Sequence, residues 1–174
     1  ATLEEDLWNR EAGGGGRTRL IQHGHVFDKG GVNYSHVHGL MPEVITQKLN
    51  LPKGVHFDAT GVSIVIHPSS PKVPIIHMNV RYFEMTNGVW WFGGGIDLTP
   101  HYILDEKAKI FHQHLKTTCD KHSSSYYPKF KEWADDYFFV THRNESRGIG
   151  GIFFDRLNDS DGKSKAEHWQ FVQD

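Results

Sequence analysis

The sequence predicts an α+β fold, with strands predominating from Thr18 to Pro100 and helices gathering after them. Three observations predict it. Two β-rich runs, GVSIVIHP and VPIIHMNVRYFEM, alternate in polarity, as strands do. Asn87-Gly88 stands between hydrophobic, aromatic runs, a strong short-range hairpin signal. Beyond Pro100 the apolar residues change to helical spacing.

Length and composition bound the possibilities. The 174 residues suffice for a single domain over 1–174 with a substantial core. Lysine and arginine number 19 against 21 acidic residues, with no basic stripe, which argues against a nucleic-acid partner. No apolar run approaches membrane-spanning length, so no integral membrane segment is expected. Cys119 is the single cysteine and has no internal partner, a usage compatible with a reducing compartment. Thirteen histidines are many, and each is weighed by its position.

Taken in order, residues 1–12 read as the end of a helix with Leu3, Leu7 and Trp8 on one side. Gly13–Gly16 break it and read as a connector rather than an anion nest. Thr18 to Phe27 reads as strand, turn and strand around Gly24. In residues 28–39, Val32, Tyr34, His36 and His38 share a parity. His23-x-His25 and His36-x-His38 each place two imidazoles on one strand face. With no nearby carboxylate or cysteine to complete a ligand set, they read as solvent-facing. Pro42 opens a short helix that Leu49, Leu51 and Pro52 end.

The central strands carry the candidate chemistry. Ile75, His77, Asn79, Arg81 and Phe83 face one way, and Ile76, Met78, Val80, Tyr82 and Glu84 the other. Ser63, Val65 and His67 share a face of the preceding strand. The three prolines of HPSSPKVP make it a connection between those strands. If the strands pair, their polar faces line one cavity. A two-residue hairpin would set Trp91 opposite Glu84, Gly94 opposite Arg81 and Asp97 opposite Met78. In that register the glycines of 93–95 leave room beside Arg81 for a flat partner, and only a bulge brings Asp97 to the polar face.

Pro100–His122 contains a helix capped by Asp105, with Ala108, Phe111, His112, Leu115 and Cys119 as its buried stripe. Tyr127–His142 reads as a second helix, with Phe130, Trp133, Ala134, Tyr137, Phe138 and Thr141 apolar and His142 continuing that face. Residues 143–151 form a polar turn and GIFFDRL a buried strand. NDSDGKSK is a loop, and AEHWQFVQD begins a helix at which the chain stops, so a C-terminal truncation is expected.

The motifs GGGGRTRLIQ, FDKGGVNYSHVHG, HMNVRYF, WWFGGGIDLTP and HRNESRGIGGIFFD, in this order and spacing, resemble the oxygen-dependent coproporphyrinogen III oxidase family over nearly all of the chain. The chain departs from the pattern at His23 and His25, where that family usually has an aspartate and a small residue. The resemblance implies a large antiparallel sheet with helices on both faces, incomplete here at its C-terminus. It implies oxidative decarboxylation of two propionates of coproporphyrinogen III to vinyls, giving protoporphyrinogen IX in haem biosynthesis. Molecular oxygen is then a co-substrate, and no metal or organic cofactor is expected. Homodimers are implied, in the cytoplasm or alternatively the mitochondrial intermembrane space. Substrate-binding positions carry over to Ser63, Asn79, Val80 and Arg81, the proton donor to His77, and the acid that engages the pyrrole nitrogens to Asp97. Should a divalent metal be used instead, as in bacterial members, the matching ligands are His67, His77, His112 and His142.

The residues agree with this implication. A tetracarboxylate suits a fixed guanidinium such as Arg81. Asp97 can meet positive charge on a pyrrole or take its proton. Two other readings stand beside it: a histidine-ligated metalloenzyme, and a non-catalytic tetrapyrrole binder.

Overall fold

The computed structural model describes residues 1–48 and 50–174. Seven strands form one antiparallel sheet: β1 (Thr2–Asn9), β2 (Gly14–Gln22), β3 (Phe27–Leu40), β4 (His56–Pro68), β5 (Ile75–Met85), β6 (Trp90–Thr99) and β9 (Gly151–Leu157). They lie side by side in sequence order. Short strands β7 (Phe139–Val140) and β8 (Glu145–Ser146) make a separate ladder. The helices are α1 (Glu43–Lys48), α2 (Asp105–His122), α3 (Tyr126–Tyr137) and α4 (Lys165–Gln173). No helix is long and apolar enough among the described residues to cross a membrane.

Burial follows the alternation. Phe92, Ile152, Phe154 and Leu157 meet Cys119 of α2, Tyr126 and Phe130 of α3 and Phe171 of α4 in the main core. Their aromatic rings pack at tilted and edge-on angles; the Phe130 and Phe154 centroids lie 5.3 Å apart. A smaller cluster of Met41, Val55 and Met85, with Leu51, Phe57, Phe83 and Trp91, lies on the opposite face around α1. Three helices therefore cover one face of β6 and β9. The other face is covered there and at its β9 edge, where Trp133, Tyr137 and Phe138 pack on the buried Phe153, and is open between.

The residue before α4 explains its start. The Ser164 hydroxyl oxygen accepts a hydrogen bond from the Glu167 amide, and the Ser164 amide donates in return to the Glu167 carboxylate, a reciprocal capping box. Inside, His168 is fully buried and satisfied by Asn158 O at 2.9 Å and Asp161 at 3.0 Å.

Several expectations give way. Residues 2–9 are a strand, not a helix end. Glu5 pairs with Arg19 at 2.7 Å and the Trp8 ring covers Gly16, contacts that only an extended chain reaches. Gly14–Gly16 belong to β2 rather than to a connector. His23 and His25 sit in the β2–β3 turn, not on a strand. His36 does have a carboxylate, Asp58 of the neighbouring strand, at 3.0 Å. Asp105 opens α2 inside its first turn; Leu104 is the cap position and provides no side-chain hydrogen bond. The second helix ends at Tyr137, and Thr141–Arg143 form a 3₁₀ turn that carries His142 away from the apolar face. Of the residues expected to end α1, Leu49 lies outside the described residues.

Candidate active site

The β5–β6 register decides the site. Glu84 pairs with Trp90, Arg81 with Gly93 and His77 with Asp97, one residue away from the two-residue hairpin expectation. The connection has three residues, Thr86-Asn87-Gly88, closed by Met85 N–H to Val89 O and by Gly88 N–H to Met85 O. Gly88 takes the left-handed conformation, φ 87°, that such a turn requires. Thr86 stays with β4 instead: its amide donates to His56 O at 3.0 Å and its hydroxyl accepts from the His56 amide at 3.1 Å. That bond to a third strand takes Thr86 out of the β6 ladder and brings Asp97 to the polar face without a bulge in β5–β6.

Cross-strand partners share a face, so the ladders can be read as rows. Leu20, Gly31, Val65, His77 and Asp97 form one row. Thr18, Asn33, Ser63, Asn79 and Gly95 form the next, and Gly16, Ser35, Gly61, Arg81 and Gly93 the one after. On the other side of His77, Gln22, Lys29 and His67 share a row. Ser63, His77, Asn79, Arg81, Asp97 and His67 thus share the sheet face away from the main core. Val80 does not. It pairs with Val62 and Gly94 and turns its side chain to the helix-covered side.

Asp97 is 2% exposed. A buried carboxylate needs a partner, and Arg147 supplies it. Its Nη2 donates to Oδ1 at 2.9 Å and to Oδ2 at 3.0 Å, and its Nε donates to Oδ2 at 3.2 Å. The guanidinium lies over the Phe138 ring at 4.3 Å. Arg147 reaches Asp97 because the following loop pairs with β6: Ile149 N–H donates to Leu98 O at 3.0 Å. On the other side, His77 Nδ1 lies 3.3 Å from Asp97 Oδ2 but out of line, so this buried nitrogen makes no hydrogen bond.

Arg81 is pinned from two sides. Nη1 donates to Asn79 Oδ1 at 3.0 Å and Nη2 to Asp155 Oδ1 at 3.1 Å, with the side chain 41% exposed. Three of its five N–H donors remain for a ligand. The glycine triplet has an internal reason. A Cβ on Gly93 would stand 2.6 Å from Arg81 Nε, and one on Gly94 would stand 2.9 Å from the Phe154 ring. The space expected there for a flat partner is filled by the guanidinium itself and by a core phenylalanine.

The four candidate metal ligands are not brought together. His112 donates from Nε2 to Ile149 O at 2.9 Å, and its Nδ1 accepts from the Tyr127 hydroxyl at 3.0 Å. His142 is exposed in its 3₁₀ turn. Among the described residues no three His, Cys, Asp or Glu side chains group closely enough to hold a metal ion. Burial, then the neighbouring Lys29, holds the His67 imidazole below its ordinary pKa.

Arg147 and Asp155 are the functional-site residues that sequence reasoning did not single out. Fifty and seventy-four residues separate them from Asp97 and Arg81, so no local spacing points to them. The only available signal was the pair of glycines after Arg147, at 148 and 150, both in left-handed conformations.

The chain is 51% identical to an oxygen-dependent coproporphyrinogen-III oxidase of Drosophila melanogaster over 178 aligned residues, 96% of this chain. It spans 45% of that relative's length. A family model described as coproporphyrinogen III oxidase matches residues 1–174. On a match that runs its whole length, the chain belongs to the coproporphyrinogen III oxidase family.

Proposed function

We propose that this protein carries out the oxygen-dependent oxidative decarboxylation of coproporphyrinogen III to protoporphyrinogen IX. The observation that carries this reading is the row of His77, Asn79 and Arg81 on an open sheet face, with Asp97 clasped behind His77. Each propionate loses CO₂ and a hydride equivalent from its β-carbon. Oxygen takes that hydride with a proton to give hydrogen peroxide, and a vinyl group remains. The electron-rich pyrrole can stabilise the cation that forms, so the protein's part is to position, desolvate and move protons.

Arg81 holds a propionate through its free N–H donors and is itself kept in place by Asn79 and Asp155. His77 is the proton-transferring group. Asp97 acts at one remove. Its buried oxygens are taken by Arg147, which suits it to fix the field and the ring of His77 better than to touch a pyrrole nitrogen directly. Ser63, in the row of Asn79, is placed for a hydroxyl contact with the same substrate.

The test is turnover of coproporphyrinogen III in air by the full-length protein, followed by fluorescence of the oxidised product. His77→Ala is expected to lower kcat about 100-fold or more, the usual scale for a lost acid–base group. Arg81→Ala is expected to raise KM at least roughly tenfold. Normal turnover by Arg81→Ala would remove the carboxylate clamp.

A further inference from the structure

Among the described residues, two buried side-chain polar atoms have no hydrogen-bond partner: His77 Nδ1 and Thr99 Oγ1. Buried polar atoms are nearly always paired, so each calls for an explanation. These two are neighbours. His77 pairs with Asp97 and Ile75 with Thr99, so Thr99 stands on the His77 face, one row beyond Asp97 on the side away from Arg81.

The loop after Arg147 closes this corner. Ile149 N–H donates to Leu98 O at 3.0 Å, and the Leu98 amide donates to Gly150 O at 3.3 Å. Gly148 lies so near that a Cβ on it would stand 2.8 Å from Thr99 Cα. The same loop presents Arg147 to Asp97, so the two orphaned atoms flank one fixed carboxylate.

Across the β5–β6 ladder, His77 and Thr99 are diagonal partners, roughly 7–8 Å apart at Cα. A threonine hydroxyl is too short to cross that gap by itself. One water joins atoms up to roughly 5.6 Å apart, the length of two hydrogen bonds of about 2.8 Å. The Asp97 carboxylate is the third member, with Oδ2 3.3 Å from His77 Nδ1. Arg147 makes three contacts to it, and an ionised carboxylate accepts about four. Two donors and an acceptor with a place left match the roughly three hydrogen bonds of a buried water.

We propose that Thr99 is a positioning residue for His77, acting through one bound water held by His77 Nδ1, the Thr99 hydroxyl and the Asp97 carboxylate. This rests on the reading of His77 as the proton-transferring group and adds what fixes its ring. Nδ1–H and the Thr99 O–H donate to the water, and the water donates to Asp97. The proton on Nδ1 is thereby held, and Nε2 is the nitrogen that exchanges a proton with the substrate. The side chain is 25% exposed while Nδ1 is buried, so the part of the ring that faces out is the part that carries Nε2. Thr99 itself touches no substrate in this arrangement.

The test uses the full-length protein and reads turnover of coproporphyrinogen III, the urea midpoint and the ¹⁵N spectrum of His77. Thr99→Val keeps the outline of the side chain and removes the hydroxyl. It is expected to lower kcat roughly tenfold at unchanged KM, the scale of one hydrogen bond. It should also lower the urea midpoint, because the water loses a partner. Thr99→Ser should restore both. In the parent, neutral His77 should carry its proton on Nδ1. A hydroxyl with no partner gives the opposite sign: Thr99→Val then raises the midpoint, since an orphaned polar atom is removed. That result with kcat unchanged, or a proton on Nε2 in the parent, overturns the inference, while loss of turnover in His77→Ala still upholds the reading of His77. A loss in Thr99→Val that Thr99→Ser does not restore overturns it as well. If His77→Ala turns over like the parent, the reading of His77 falls and the positioning role falls with it, whatever Thr99→Val does to the midpoint.

Discussion

At the scale of single residues, Asp97 and its partners show how burial and charge set roles. A carboxylate 2% exposed is tolerable only because Arg147 meets both its oxygens. Arg147→Gln leaves that charge uncompensated and is expected to cost about 2 kcal/mol in urea unfolding, less than a fully buried pair would, since Arg147 is 43% exposed. Cys119 gives a prediction of opposite chemistry. Burial pushes its thiol from 9.0 up to about 11, so the native state holds the proton more tightly than the unfolded chain. That contribution is fully present below pH 9.0 and is lost as pH rises through about 11. The urea midpoint should fall across this window, and Cys119→Ala should make the fall shallower. Arg81, His77, Asn79 and Ser63 were legible as residues because a strand face rarely carries such a polar run without a use for it. Arg147 was not, because its meaning comes from a fifty-residue loop closure.

Among the elements, strands were more legible than their boundaries. The alternation in 75–85 was unambiguous, and the helical spacing of Ala108, Phe111, Leu115 and Cys119 matched a helix that buries Cys119 and half-buries the other three. Residues 2–9 misled for a definite reason. Leu3 and Leu7 are four apart, a spacing that lies on one face in a helix and in a strand alike. Pairing with Arg17, Thr18 and Arg19 settles it as a strand. The β5–β6 hairpin is a second case: Asn87-Gly88 suits a two- or a three-residue loop, and the Thr86–His56 bonds select the longer one. Gly94 lets the middle of β6 sit against β9. Gly94→Ala would press a Cβ to 2.8 Å from Asn79 O and 2.9 Å from the Phe154 ring. With backbone on one side and core aromatic on the other, neither can yield cheaply, and a loss of about 1–3 kcal/mol is expected by thermal or urea melting.

Across the molecule, the two faces of the sheet are covered unequally. The core is built at the β6–β9 end, where Phe130, 1% exposed, meets Tyr126, Phe154 and Phe171. Phe130→Ala should lose about 3–5 kcal/mol in urea unfolding, as expected for an aromatic ring removed from a packed core. Polar side chains accumulate on the far face because no helix crosses most of it. By itself, the sequence determined the strand periodicity, the two longer helices, the polar row and the family likeness, all of which rest on local spacing or contiguous motifs. Only the tertiary structure decided that Asp97 stands opposite His77, that Arg147 holds it and that Val80 turns away. Those facts depend on register and loop closure, which are set by contacts between residues far apart in the chain.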